Sequence, residues 1–142
     1  MSDASGGSKS RLSVLVVDDE APIRQVARRV LEGEGYQVAE ASGGLEAIAI
    51  LSSGTPLDLL LADLEMPELN GDEMVRRIRT TRPDLKVLYV TAHIDMIMDS
   101  RPLWAGEAFL DKPFSTAGLL EAVSLLLRGT LHIKPGPARV TP

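Results

Sequence analysis

Four apolar runs of this chain end in residues that can do chemistry. Val14-Leu15-Val16-Val17 leads into Asp18-Asp19-Glu20, and Leu59-Leu60-Leu61-Ala62 leads into Asp63. Lys86-Val87-Leu88-Tyr89-Val90 ends in Thr91, and Ala108-Phe109-Leu110 leads to Lys112-Pro113. If these runs are strands of one parallel sheet, acids, a hydroxyl and an ammonium group meet at one edge. Such a cluster can hold a divalent metal and transfer a phosphoryl group. Magnesium prefers oxygen ligands and usually takes one or two carboxylates together with phosphate oxygens. Asp18, Asp19 and Asp63 offer that donor set. Like charges this close repel, so without metal one carboxyl should hold its proton more tightly.

The elements that must position these groups follow from pattern. Residues 12–17 are apolar and β-branched, which predicts a strand. Pro22 suits the first turn of a helix. Ile23, Val26, Ala27, Val30 and Leu31 continue it as one apolar stripe, ended by Gly33 and Gly35. Tyr36 to Ala41 is a second strand. Ser42-Gly43-Gly44 turns into a short helix marked by Leu45, Ile48 and Ala49, which Ser53-Gly54-Thr55-Pro56 breaks. Leu57 to Ala62 is the third strand, and Leu64 to Gly71 a loop. Asn70 with Glu73 resembles a capping box, and Met74, Val75 and Ile78 form that helix's inner side up to Arg82-Pro83. Lys86 to Thr91 is strand four and Glu107 to Leu110 a short strand five. Ser115 or Thr116 caps a last helix with Leu119, Leu120, Val123, Leu126 and Leu127 on one face. The strands one, three and four are apolar nearly throughout, as strands covered by helices on both faces are. The expected fold is therefore α/β: an open, doubly wound (βα)5 domain with a parallel five-stranded sheet. In such sheets ligands bind beyond the carboxyl ends of the strands, where the strand order reverses.

Composition sets the bounds. The chain has 142 residues, 44% hydrophobic and 25% charged, enough for one ordinary globular domain. Residues 1–10 lack the apolar stretch of a secretory signal and read as a flexible segment, residues 11–128 as the domain, and residues 129–142, with Pro135, Pro137 and Pro142, as an irregular tail. No apolar stretch approaches the ~20 residues of a membrane span. There are no cysteines, which excludes disulfides, thiolate metal sites and cysteine nucleophiles and is compatible with a cytoplasmic location. The net charge is −5 and no dense basic patch occurs, so direct nucleic-acid binding is not expected. Neither G-x-G-x-x-G nor G-x-x-x-x-G-K-[ST] is present, which disfavours nucleotide binding by those loops.

Val17-Asp18-Asp19-Glu20, Asp63 with Met66-Pro67 and Asn70-Gly71, Val90-Thr91-Ala92, and Lys112-Pro113-Phe114 together resemble the receiver domain of two-component response regulators. All four motifs, in order and on matching elements, make a specific signal over residues 11–128. The resemblance implies a flavodoxin-like strand order 2-1-3-4-5 and a set of roles. Asp63 would be the phospho-acceptor, attacking a phosphohistidine on a histidine kinase or histidine phosphotransfer protein. Asp19 would be a direct metal ligand and Asp18 a ligand directly or through water. The backbone carbonyl of Glu65 would face the magnesium (Mg2+) or manganese (Mn2+) ion. Lys112 would pair with the phosphoryl oxygens, Thr91 would hydrogen-bond the phosphoryl group, and Phe109 would be the aromatic switch that moves inward with Thr91. Independently of the resemblance, phosphoryl transfer needs positioning and charge neutralisation, a carboxylate is a competent nucleophile, and a metal with a lysine can clamp the spreading charge. The implied product is a signalling switch that catalyses only its own phosphorylation and dephosphorylation. It would act on a downstream effector protein as a monomer or weak phosphorylation-dependent dimer.

Plainer readings stand beside these. Asp18 and Asp19 could merely end a strand, Asp63 could cap a turn, Lys112 could be solvated, and Phe109 could be core. Pro113 restricts the backbone next to Lys112, and in receivers that peptide bond is commonly cis. His132 reads as a surface residue. His93, two residues after Thr91, is either that or a group that tunes water access to the site. A haloacid dehalogenase-type phosphatase also uses an aspartate after a strand, but needs Asp-x-Asp where this chain has Asp63-Leu64-Glu65. A receiver-like module that is never phosphorylated usually loses members of the acid–Thr–Lys set, which is complete here. The 14 residues after Arg128 (129–142) are too few for an output domain. A stand-alone regulator or a receiver from a hybrid histidine kinase is expected, and Gly106 to Phe114 resembles the latter. The chain departs from receivers between Thr91 and Phe109, where they carry an alanine-rich fourth helix. Pro102 breaks any continuous helix there. Residues 94–105 are then either a shortened, mobile switch segment or a loop collapsed onto the core.

Overall fold

Strands that are apolar on both faces need a helical layer on each, and that is what forms. The computed structural model describes residues 11–95 and 106–129. The elements in chain order are β1 (Ser13–Val17), α1 (Ala21–Gly33), β2 (Gln37–Ala41), α2 (Gly44–Ser52), β3 (Leu59–Asp63), α3 (Gly71–Ile78), β4 (Lys86–Thr91), β5 (Glu107–Asp111) and α4 (Thr116–Arg128). The five strands are all parallel and lie in the order β2-β1-β3-β4-β5, as the resemblance implied. The expected segment 1–10, the expected tail 129–142 apart from Gly129, and residues 96–105 of the expected irregular segment 94–105 lie outside the described residues. No described helix is long and apolar enough to cross a membrane.

The period of two along each strand sorts the core into two layers. Leu15, Val17, Leu60, Ala62, Val87 and Tyr89 face α2 and α3, where they meet Ala47, Leu51, Met74, Val75 and Ile78. Val14, Val16, Leu59, Leu61, Leu88 and Val90 face α1 and α4, where they meet Ala27, Leu31, Leu119, Leu120 and Val123. β3 is buried at every position, including its last residue, Asp63.

The details differ from the pattern in instructive places. Val26 belongs to the apolar stripe of α1 by spacing, yet it is 46% exposed. The helix docks along Ala27 and Leu31, and Val26 is turned ~100° from Ala27. Leu45 is 53% exposed, because α2 packs through its small residues Gly44 and Ala47 together with Leu51. β3 begins at Leu59 rather than Leu57 and carries Asp63 as its terminal residue. Immediately before the strand, Asp58 accepts the Ser13 N–H through Oδ2 and donates its own N–H to the Ser13 carbonyl.

Helix starts are set by side chains. Asn70 Oδ1 accepts the Glu73 N–H at 2.9 Å, satisfying one orphan donor of α3. The Glu73 carboxylate is turned to Arg76 and Arg77, so only half of a capping box forms. Ser115, not Thr116, caps α4: its Oγ accepts the Gly118 N–H at 2.9 Å. Gly129 closes the same helix with φ of 72° and an N–H to Leu125 O at 3.0 Å, the left-handed conformation glycine adopts without strain.

Candidate functional site

Parallel strands put all their carboxyl ends on one edge, and the strand register brings the reactive groups into reach. Asp18 follows β1, Asp63 ends β3, Thr91 ends β4 and Lys112 follows β5. Backbone hydrogen bonds fasten these ends to neighbouring strands: Asp18 N–H to Ala41 O (3.2 Å), Leu64 N–H to Val90 O (3.1 Å) and Lys112 N–H to Thr91 O (2.9 Å). The Lys112–Pro113 peptide bond is cis.

Asp18 and Asp63 are buried, and Lys112 reaches both. Its Nζ lies 3.1 Å from Asp18 Oδ2 and 3.4 Å from Asp63 Oδ1. Asp18 Oδ1 also accepts the Glu20 N–H at 2.8 Å, and Asp63 Oδ1 accepts the Glu65 N–H at 3.2 Å. Asp19 is exposed, yet one carboxylate oxygen from each of Asp18, Asp19 and Asp63 lies within 4.8 Å of the others. Three acids face one lysine here, a surplus of negative charge in an all-oxygen donor set. Those are the conditions that suit a hard divalent cation.

The electrostatics single out one carboxyl. Burial pushes Asp63 up to about 7, and the neighbouring charge of Asp18 pushes the same way. Lys112 and the Glu65 N–H work against the rise without cancelling it. Asp63 is therefore the acid that holds its proton when no metal is present, as repulsion within the cluster required. Burial disfavours the charge on Lys112, but pairing with Asp18 and Asp63 outweighs it and raises the ammonium's pKa.

Thr91 is fully buried. Its Oγ1 donates to Glu65 Oε2 at 2.7 Å and accepts the His93 N–H at 3.0 Å. His93 Nδ1 lies 3.3 Å from the same Glu65 oxygen, so the histidine does sit at the mouth of the site. Phe109 is half-buried and stacks on Tyr89, with ring centroids 5.3 Å apart and planes at 25°.

Three residues contribute that the sequence reading assigned no such part. Arg24 of α1 donates from Nη1 to the Asp18 carbonyl at 2.6 Å while its Nε holds Glu40, bracing the backbone under the acidic pair. Tyr89 is the partner of Phe109, and the two are register neighbours on β4 and β5. The Glu65 side chain, as distinct from its carbonyl, binds Thr91. Only the Tyr89 contact had a signal in the sequence, through the alternation that places it on the same face as Thr91.

Replacing Lys112 tests the electrostatic picture. Lys112→Ala is expected to fold, because the ammonium packs against acids and not against the core. Removing one partner of a fully buried ion pair costs ~3–5 kcal/mol. Here the loss in urea denaturation should be smaller, since Asp63 can take up a proton in place of the lost cation. A loss of cooperative unfolding would assign Lys112 a structural role.

The fold and site together define a class: an open parallel α/β domain whose carboxyl edge carries a pocket of three acids beside one lysine. The profile of the family described as response regulator receiver domain matches residues 14–124. The sensor kinase CckA of Brucella abortus is 37% identical over 117 residues, which are 81% of this chain and 12% of that protein. The response regulator MprA of Mycobacterium avium is 39% identical over 120 residues, 84% of this chain and 52% of the relative. Thus the chain spans about half the length of the one relative and far less of the other. Among solved structures, the response regulator TrrA of Thermotoga maritima, in complex with Mg2+ and BeF, superposes with a TM-score of 0.73 at 34% identity, covering 82% of this chain and 99% of that one. The chemotaxis protein CheY4 of Vibrio cholerae superposes with a TM-score of 0.75 at 28% identity, covering 83% and 100%. The chain belongs to the response regulator receiver family. Receiver domains are phosphoacceptor switches of two-component signal transduction rather than turnover enzymes, and the pocket of Asp18, Asp19 and Asp63 fits a phosphoacceptor site.

Proposed function

We propose that Asp63 accepts the phosphoryl group, from a phosphohistidine of a histidine kinase or histidine phosphotransfer protein. The observation that carries this is the position of its carboxylate, buried at the end of β3 beside Asp18 and Asp19 and within 3.4 Å of Lys112 Nζ. A carboxylate oxygen of Asp63 bonds to phosphorus as the phosphorus–nitrogen bond of the donor breaks. The electron pair of that bond leaves with the imidazole nitrogen, which takes up a proton. Attack requires the ionised carboxylate, and Asp63, pushed up to about 7, is only partly ionised at neutral pH without further positive charge.

The residues that would hold a divalent cation, Mg2+ or Mn2+, are Asp18, Asp19 and Asp63, with the Glu65 carbonyl. Charge neutralisation at the acceptor and at the incoming phosphoryl oxygens is what such an ion supplies. The solved complex of TrrA with Mg2+ and BeF supports this part of the reading. Lys112, already aimed at Asp63, would neutralise a phosphoryl oxygen, and Thr91 would donate to another. Phe109 would follow Thr91 and alter the surface offered to a downstream effector. Return to the resting state is hydrolysis of the acyl phosphate by water within the same site.

Incubation with acetyl phosphate tests the reading. Intact-mass analysis should show one added phosphoryl group with magnesium and none with a chelator. Equal phosphorylation in the chelated sample would remove the cation from the reaction.

A further inference from the structure

The Thr91 hydroxyl is already committed in this structure. It has one hydrogen to give, and that hydrogen goes to Glu65 Oε2 at 2.7 Å. Thr91 is fully buried, so with Glu65 in place no water reaches the hydroxyl. We propose that the Glu65 carboxylate is a built-in competitor for the Thr91 hydroxyl, standing in for the anionic oxygen that a phosphoryl group on Asp63 would present. Glu65 is thus a positioning residue that sets how much phosphoryl binding must overcome before Thr91 can move. This inference rests on the reading of Asp63 as acceptor and Thr91 as its partner.

The chemistry of the contact supports it. A carboxylate is a stronger acceptor for a hydroxyl than a neutral oxygen, so only another anion displaces it effectively. A second contact, from His93 Nδ1 at 3.3 Å, touches the same oxygen, and the His93 N–H holds the oxygen of Thr91 at 3.0 Å. The latch is also tied to the acceptor: the Glu65 N–H donates to Asp63 Oδ1 at 3.2 Å. A bond forming at Asp63 therefore acts on the same two-residue turn that holds Thr91. Release costs little on one side only. The Glu65 side chain is 46% exposed and can return to water, whereas the buried Thr91 hydroxyl needs a new acceptor inside the protein. The arrangement opens for an anion at Asp63 and stays shut otherwise.

Beryllofluoride, which mimics a phosphoryl group on a carboxylate, gives the test in calorimetric titrations with magnesium. Glu65→Ala, which keeps the backbone carbonyl, should bind it about tenfold tighter, the worth of one hydrogen bond to a charged group. Glu65→Gln keeps an acceptor oxygen without the charge and should fall between. In a Thr91→Ala background the Glu65 substitution should change affinity by less than about twofold, and in a Thr91→Ser background, where the hydroxyl remains, its effect should persist. Unchanged or weaker binding by Glu65→Ala would overturn the proposal. So would equal tightening with and without the Thr91 hydroxyl, because charge alone would then explain it. Asp63→Asn serves as the reference. If it loses beryllofluoride binding while Glu65→Ala has no effect, only the competitor role fails. If it retains binding, the assignment of the acceptor fails as well.

Discussion

Gly71→Ala is expected to melt up to roughly 10 °C below the parent protein. A Cβ at this position would sit 2.5 Å from the Asp63 carbonyl oxygen, 3.0 Å from Leu64 Cα and 3.2 Å from Asp63 C. All three are backbone atoms, so no rotamer change relieves the overlap. Overpacking a tight site costs ~1–3 kcal/mol and occasionally more, while the gain in helix propensity from glycine to alanine is at most ~1 kcal/mol. The overlap wins, and each kcal/mol lowers the midpoint of a domain this size by roughly 4 °C. Gly44→Ala is the matched control. Its Cβ would meet Leu69 Cδ2 at 2.9 Å and Leu69 Cβ and Cγ at 3.2 Å, side-chain atoms of a loop residue with no fixed backbone among them, so thermal unfolding should shift less. Because the displaced backbone carries Asp63, Gly71→Ala should also slow phosphoryl uptake. A melting point equal to the parent's would show that the β3–α3 turn has room the structure denies it.

The second large effect is a pH dependence in the absence of metal. Asp63 moves from an ordinary 3.8 when unfolded to about 7 when folded. The folded protein then binds more protons than the unfolded chain between those values, so stability falls as pH rises through that window. Below about 4 the carboxyl is protonated in both states and carries no penalty; above about 7 it is ionised in both and the full penalty stands. Each pH unit of the gap corresponds to ~1.4 kcal/mol, giving a span on the order of 4 kcal/mol as an upper figure. Asp63→Asn is neutral throughout. In chelator, the stability of wild type minus that of Asp63→Asn should therefore fall between pH 5 and 8, leaving the variant the more stable at pH 8. Lys112 does not interfere, since its raised pKa acts only in alkaline solution. Magnesium at pH 8 should restore wild type and leave Asp63→Asn nearly unchanged. A stability difference that is flat across this range in urea titrations would mean that Asp63 is not the strained acid of the cluster.

What the sequence revealed and what it withheld divide along a physical line. The continuous apolar runs at 14–17, 59–62 and 87–90 can only be strands covered on both faces, and parallel strands bring their carboxyl ends together whatever the loops do. The nearness of Asp18, Asp63 and Lys112 was therefore legible in the sequence, whereas the part given to Thr91 rested on the resemblance. The exposure of Val26 and Leu45 was not, because an apolar stripe fixes a helix's inner side only to within about one residue's rotation. The bond from Thr91 to Glu65 was not legible either. It joins the last residue of β4 to a residue of the β3–α3 loop and depends on the β3–β4 register and on a side-chain direction that no spacing rule supplies. Arg24 under Asp18 is a similar case: in sequence it is one more arginine on a helix whose exposed face is rich in them. The choice of Ser115 over Thr116 as cap turned on a single residue, below the precision with which helix ends can be read.

The central claim is that Asp63, and no other acid of the cluster, carries the phosphoryl group. Borohydride reduces an aspartyl phosphate to homoserine, leaving a permanent mark at the acceptor. After treatment with acetyl phosphate and magnesium, reduction and tandem mass spectrometry of the digest should place homoserine at position 63 alone, and Asp63→Asn should show none. Homoserine at position 18 or 19, or undiminished labelling of Asp63→Asn, would contradict the claim.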